Sequence, residues 1–354
     1  MFVLTYNYKQ VGSTSYEKAR LRFANVIAIL LVLQSGLRNV SIGADTGNYM
    51  GMFYSHINWS WKDVFNNFID VYKYGEGKDA GYVLLMKLFS VFSSNYQVFL
   101  VFVAVIVFVP LVAFVYDNTD RIEHLWLALL LYQTLFYSFL SITGIRQSIA
   151  TGLCLWSVKY IKNKKVVPFL ILMLMGTLIH SSCLIFLPFY WIAHFKKPRL
   201  MFVGMLCLFP ILLYLGSTFA LQLAIISGDD RYLLYAEQES SGAMNLIIFY
   251  FIISLAGFIR YWKDNDYMIS NSHIFNAISL GIFFLPLTLN SANLVRVVQY
   301  YSIFSLVLMG SVFAPVKLYE PRFFIKTAQF VLLGAILYKL ITNPMEYSFF
   351  WQGN

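Results

Sequence analysis

The chain has 354 residues, of which 59% are hydrophobic, 18% aromatic and only 12% charged. A soluble domain carries about 25% charged residues, so this composition, with a mean hydropathy of +0.66, excludes an ordinary soluble enzyme and describes a polytopic membrane protein. The net charge of +9 does not point to nucleic acid, because the basic residues fall in short clusters between apolar runs, as membrane topology arranges them.

From the N-terminus, a mixed polar stretch without a cleavable signal peptide carries Lys18, Arg20 and Arg22 into the first apolar run. A basic flank of this kind is expected to stay in the cytoplasm. A bilayer core needs about 20 helical residues. Candidate spans are Arg22–Leu37, Tyr96–Tyr116, Leu125–Ile142, Arg146–Ile161, Val166–Ile179, Ser182–Phe195, Leu200–Gly216, Ala243–Tyr261, His273–Leu289, Leu294–Ala314 and Phe323–Leu340, eleven in all. The fifth and sixth are short and joined only by His180-Ser181, so one span plus a re-entrant piece is the alternative there. The clusters Lys162-Asn163-Lys164-Lys165 and Lys196-Lys197-Pro198-Arg199 then share the inner side with most other basic residues. That distribution obeys the positive-inside rule.

The expected fold is therefore all-α, a transmembrane helical bundle in which residues 1–354 form a single integral membrane domain. Two long outside loops interrupt it, 38–95 and 217–242. The first holds the apolar piece Gly81–Phe92, too short and too charged to span and read as an interfacial or re-entrant helix. The second opens as the apolar helix Phe219–Ile226 before turning polar. Cys154, Cys183 and Cys207 lie in apolar segments without CxxC pairing, which fits buried thiols rather than a disulfide frame or a metal site.

On this topology the outer helix ends carry Arg38, Arg146, His180, Arg231 and Arg296, with Asp45 and Asp79 in the first outside loop. Charged groups within a membrane segment cost several kcal/mol unless paired or wetted, so a set of them marks a site. A single arginine at such a position also serves as a snorkelling anchor. The guanidinium fork binds phosphate oxygens bidentately, which matches a lipid-linked phosphate or pyrophosphate at headgroup depth. His180 is a candidate acid or base. Asp45 is a candidate base or a partner that orients Arg38. Tyr232 and Tyr300 are among the aromatics available to stack on sugar rings or to form an interfacial belt. No HExxH, P-loop, GxGxxG or nucleophile elbow is present, so soluble-style nucleotide or metal chemistry has no support in the sequence.

An ordered set of short motifs runs through the chain. It comprises Gly36-Leu37-Arg38 with Gly43-Ala44-Asp45-Thr46-Gly47-Asn48-Tyr49, then Asp79-Ala80-Gly81-Tyr82, Gly144-Ile145-Arg146-Gln147, Leu178-Ile179-His180-Ser181-Ser182, and Val295-Arg296 through Tyr300-Tyr301. In order and spacing this set resembles the Wzy-type polysaccharide polymerases, specifically their EpsG branch. The family usually has one more membrane segment before the basic flank, and shows Glu more often than Asp at the position of Asp79. The resemblance implies a glycosyltransferase of the bacterial inner membrane, with a cytoplasmic N-terminus and a periplasmic active site. It would transfer a growing glycan from undecaprenyl pyrophosphate to a lipid-linked repeat unit. Arg146 and Arg296 are then expected at the pyrophosphate, with Arg38 and Arg231 as helpers. His180 or Asp45 would be the base, and Asp79, Tyr232 and Tyr300 would contact substrate. No metal or other cofactor is demanded, since the arginines supply positive charge. The bilayer and the undecaprenyl-pyrophosphate-linked oligosaccharide are the expected partners, with a chain-length regulator and a flippase implied by the resemblance alone. The competing readings are an O-antigen ligase and a lipid-linked oligosaccharide flippase or transporter. A transporter would hold charges near mid-membrane in two related halves, which this sequence does not show.

Overall fold

The computed structural model describes residues 15–137, 142–227, 243–289, 295–313, 321–342 and 347–352. The described residues are helical apart from turns and one isolated β-bridge, Arg38 with Phe349. The chain divides into two compact units, residues 1–187 with 339–354, and residues 188–338.

The first unit contains α1 (Ser15–Gly36), α2 (Thr46–His56), α3 (Trp61–Ile69), α4 (Ala80–Ser90), α5 (Tyr96–Asp117), α6 (Ile122–Leu131), α7 (Ile145–Lys162) and α8 (Val166–Ile179). Helix α5 is its axis, packed against α1 on one side and α7 on the other. Between membrane helices there is little hydrophobic drive, so close approach through small residues does much of the work. At Gly36 a Cβ would lie 2.7 Å from the Val101 Cα, and at Gly152 one would lie 2.5 Å from the Ile106 carbonyl oxygen. On α7 and the turn after α8, Cys154 and Cys183 are buried free thiols with their sulfurs 3.4 Å apart. The sides of α1 and α8 turned away from these contacts expose Val26, Ile29, Leu30, Val167, Ile171 and Leu174. An apolar stripe of that kind suits lipid better than water.

The two ends of this unit differ in chemistry. At the start of α1, Arg20 donates to the carbonyls of Tyr116 and Thr119, and Lys162 donates to Asn118 Oδ1 at 3.2 Å. The other end gathers the loop that follows α1 and the starts of α4, α5 and α7, together with the end of α8. Here the loop 38–95 is largely helical. Helix α3 opens with a capping box between Ser60 and Asp63, and α4 packs against α2, α3 and α8. The stretch expected as an interfacial or re-entrant piece is thus α4, with Tyr82, Val83, Met86 and Phe89 buried while Leu88, Val91 and Phe92 stay exposed.

The second unit contains α9 (Phe189–Ile192), α10 (Pro198–Ser227), α11 (Ala243–Tyr261), α12 (Asn265–Ser270), α13 (Ser272–Phe284), α14 (Val295–Ser302), α15 (Ser305–Phe313) and most of α16 (Arg322–Thr342). Helix α13 is buried along most of its length and packs against α10, α11 and α14. Gly281 leaves room for Tyr250, whose hydroxyl donates to the Ile278 carbonyl at 3.1 Å.

Among the described residues, three helices are able by length and composition to cross a membrane, Tyr16–Gly36, Tyr96–Asp117 and Pro198–Leu215. A fourth candidate is the pair α14 and α15, bent by 57°. The remaining apolar helices are shorter, among them Val166–Ile179 and Ser181–Ile192. Two elements depart from the sequence expectation. Helix α10 runs without a break through Ser217, so the seventh span and the apolar start of the second loop are one helix. The expected span Ser182–Phe195 is a 3₁₀ turn, Ser181–Phe186, followed by the short α9. Pro188 removes a backbone donor between them, which disfavours one continuous α-helix.

Candidate functional site

Asp79 is where this second end of the first unit is tied together. Its backbone is left-handed (φ 56°, ψ 42°), a conformation that aspartate tolerates better than most residues. It begins α4 from that position. The next turn brings Gly81 so close to α8 that a Cβ there would lie 2.6 Å from the Leu178 backbone. This approach brings the start of α4 to the end of α8, and so brings Asp79 to His180.

Three groups then converge on one carboxylate. Arg146 Nη1 donates to Asp79 Oδ2 at 2.7 Å, the Ser181 amide donates to Oδ1 at 3.4 Å, and His180 Nδ1 lies 3.5 Å from Oδ2. The last distance is at the outer limit of a hydrogen bond. The Asp79 side chain is 3% exposed, against 20% for Arg146 and 15% for His180. Burial pushes the Asp79 carboxyl up, but His180, the Arg146 charge and the Ser181 amide outweigh it and hold the group below its usual range. Asp79 therefore carries its charge in the folded protein.

Arg146 enters from the first turn of α7, behind Gly144, whose left-handed backbone (φ 76°) turns the chain into the helix. Tyr49 of α2 supports it, with the hydroxyl 3.4 Å from Nε and the ring centroid 5.7 Å from the guanidinium carbon. Neither Asp79 nor Tyr49 takes Nη2. Among the described residues the guanidinium is thus held on two edges, with none bonded to the third. The amides that open α7 add positive partial charge beside it. His180 closes α8, its amide donating to the Gly176 carbonyl at 2.8 Å, and its Nε2 has no hydrogen-bond partner among the described residues. The cation can bind an anionic oxygen, and the imidazole beside it holds a buried, unpartnered Nε2 able to accept a proton from a group brought against it.

The other expected site residues are placed differently. Asp45 precedes α2, one turn before Tyr49, and makes no side-chain capping bond. It takes no part in the hydrogen bonds of the cluster; its carbonyl accepts from the Tyr49 amide at 3.0 Å. Arg38, expected as a helper at an open rim, is 1% exposed. Its Nη1 is held by the Ser35 carbonyl and hydroxyl at 2.7 and 2.9 Å. The segment 347–350 covers it, since the Asn39 amide donates to the Ser348 carbonyl and the Phe350 amide to the Leu37 carbonyl. Tyr82 is fully buried and feels both the Arg38 and the Arg146 charge. In the second unit, Arg296 is exposed on α14. Tyr300 is fully buried, a core side chain and not an open platform for a sugar ring. Arg231 and Tyr232 lie outside the described residues. Tyr49 and Gly81 are the site residues that sequence reasoning did not single out, although both stand inside motifs it quoted. Among the described residues no three His, Cys, Asp or Glu side chains group as a metal site.

The model of the EpsG family matches residues 21–352. No curated protein matches the chain, and no solved structure does. Matched over nearly its whole length, this chain belongs to the EpsG family and is a membrane protein of polysaccharide biosynthesis.

Proposed function

We propose that this protein is a polysaccharide polymerase of the bacterial inner membrane. It transfers a growing glycan from undecaprenyl pyrophosphate to a lipid-linked repeat unit on the periplasmic side. The family is generally associated with glycosyltransferase-like polymerase activity. The observation that carries the reading is the Asp79–Arg146 pair, with no acceptor at Nη2 among the described residues, beside the buried and unpartnered Nε2 of His180.

In this reading the acceptor hydroxyl attacks the anomeric carbon of the donor while the bond from that carbon to the pyrophosphate oxygen breaks. The electron pair leaves with the pyrophosphate, whose growing charge Arg146 meets. His180 Nε2 takes the hydroxyl proton. Asp79 holds the imidazole with Nδ1–H toward itself, the tautomer that leaves Nε2 as acceptor. Asp79 also fixes Arg146, so one buried carboxylate positions both groups. Arg296 remains a proposed pyrophosphate contact and Arg231 a proposed helper.

Eleven crossings with the N-terminus inside complete the proposal, some of them made by shorter or bent helices. The extended rise of a 3₁₀ turn, about 2.0 Å per residue, lengthens the reach of Ser181–Phe186. The pairing of Asn39 with Ser348 supports this count. Segments joined by backbone hydrogen bonds share one side of a membrane, so an even number of crossings separates them, as the ten after the first span do.

The test is the purified protein in detergent with a purified undecaprenyl-pyrophosphate-linked repeat. Polymer ladders are expected without any second membrane compartment or lipid A–core acceptor. A ladder only when lipid A–core is added would establish a ligase instead. Transport across vesicles without new glycosidic bonds would establish a flippase. In a deletion strain, surface glycan carrying a single repeat is the matching outcome.

A further inference from the structure

The second unit contains a half-open cavity of about 460 Å³ between the beginning of α10 and the end of α11. That volume falls within the range of roughly 300–1,000 Å³ typical of ligand sites. Its body is apolar, formed by Phe202, Leu206, Leu255 and Phe258, and the rings of Phe202 and Phe258 stack with centroids 3.7 Å apart. Its rim is cationic and aromatic, where Arg260, Trp262 and Lys263 follow one another at the end of α11. A third cation reaches this rim from α10, with the Arg199 guanidinium carbon 5.7 Å from the Trp262 ring centroid. The Arg199 Nε is buried without a hydrogen-bond partner among the described residues. Arg260 donates to the Val312 carbonyl at 3.3 Å, which anchors its side chain at the cavity. Of the nearby carboxylates, Asp264 accepts from the Tyr267 amide at 3.0 Å and so caps α12, while Asp266 is exposed in the first turn of that helix.

We propose that this cavity binds an anionic phospholipid, with one acyl chain between α10 and α11 and the headgroup phosphate at Lys263 and Arg199. Three observations commit it to a lipid. The apolar body continues onto Val203, which lines the cavity, and Val203 stands with Leu200, Leu208 and Ile211 among the exposed apolar residues of α10. A free anion has no use for that body. The cations gather only at one end of the cavity, as a headgroup and tail require. Trp262 stands at the same level, where amphipathic aromatics mark a membrane interface. Basic pockets between membrane helices hold anionic headgroups on the cytoplasmic side, the side assigned to these residues by the positive-inside rule.

The test uses the purified full-length protein, stripped of lipid in detergent and titrated with phosphatidylglycerol, phosphatidylcholine or inorganic phosphate. Thermal unfolding and native mass spectrometry are the readouts. Phosphatidylglycerol is expected to raise the unfolding temperature and to remain bound, while the other two do neither. Lys263→Glu reverses an exposed rim charge and is expected to weaken that response about tenfold or more. Leu206→Trp fills the cavity and is expected to remove the response; should it fail to fold, Lys263→Glu alone decides. An equal response to phosphatidylcholine, a full response to phosphate, or an unchanged response in Lys263→Glu would overturn the proposal. Because the readout is lipid binding, its outcome is independent of the reaction at Asp79.

Discussion

Arg38 and Arg146 belong to one unit, and each stands within a few residues of a helix end among small residues, yet the protein uses them in opposite ways. Arg146 is paired with a buried carboxylate, braced by Tyr49 and left one-fifth exposed. Arg38 has no carboxylate partner among the described residues. Burial lowers its affinity for the proton, the tyrosines around it oppose that effect, and a serine and a late stretch of chain close over it. The first arrangement holds a charge ready for something that arrives; the second encloses a charge beneath chain segments that are joined through their backbones. Charge type and depth alone do not distinguish a ligand-binding arginine from a structural one. What distinguishes them is whether the unbonded edge is reachable: Arg38 Nε and Nη2 are unpartnered among the described residues but buried, whereas the Arg146 side chain keeps one-fifth of its surface exposed.

Mutations can break or sharpen that contrast. The largest effect is expected at Arg146, where Arg146→Ala should cut polymer synthesis by about 10²–10³-fold while the protein stays in the membrane. Arg146→Lys should also impair it, because a point charge does not replace the planar fork; normal long-chain polymer from both variants would end the catalytic reading. His180→Ala should lose about 10²-fold, and Asp79→Asn should alter the pH–rate profile, a readout that a purely structural aspartate would leave unmoved.

Gly81→Ala places a Cβ against the Leu178 backbone. It should cost about 1–3 kcal/mol in thermal unfolding and lower polymer yield per folded molecule, because α4 must retreat from His180. Arg38 separates packing from charge. Arg38→Ala should lower the unfolding temperature, whereas Arg38→Met should keep both fold and polymer, since apolar side chains of similar volume often replace buried charges at little cost. Loss of polymer in a stable Arg38→Met protein would break the contrast.

The smallest effect is on acid stability. The Asp79 carboxyl is held below its ordinary value, so its contribution is present above that value and is lost as pH falls through the lowered one. The stability difference between the wild type and Asp79→Asn should be constant from about pH 8 to 5 and should narrow below about pH 4. A difference that narrows between pH 8 and 5 would contradict this assignment.

The sequence carried the membrane class, the helical architecture and three members of the cluster, Asp79, Arg146 and His180. Arg146 interrupts an apolar and small-residue context, His180 stands at a tight turn between apolar runs, and Asp79 stands in a quoted motif; those are local signals. What it did not carry depends on distant partners. Arg38 reads like Arg146 until residues 347–350 are in place, and no local pattern announces that pairing. Gly81 stood in a quoted motif, but its close approach to Leu178 is a property of two helices. Gly216-Ser217-Thr218 resembles the end of a span, yet flanking apolar runs carry α10 through it. Tyr300 stands one helical turn after Arg296 and on the same face, yet the second half of α14, Val298 through Ser302, is buried while Arg296 is exposed.

The Asn39 side chain also donates to the Gln352 carbonyl, across a separation of 313 residues. During synthesis the first helix must therefore wait with this end unsealed until the segments between residues 39 and 347 have been made and inserted. Residues 347–352 act as the last stitch, and removing them should leave newly made protein open to proteases at the loop after α1 even where every helix has inserted.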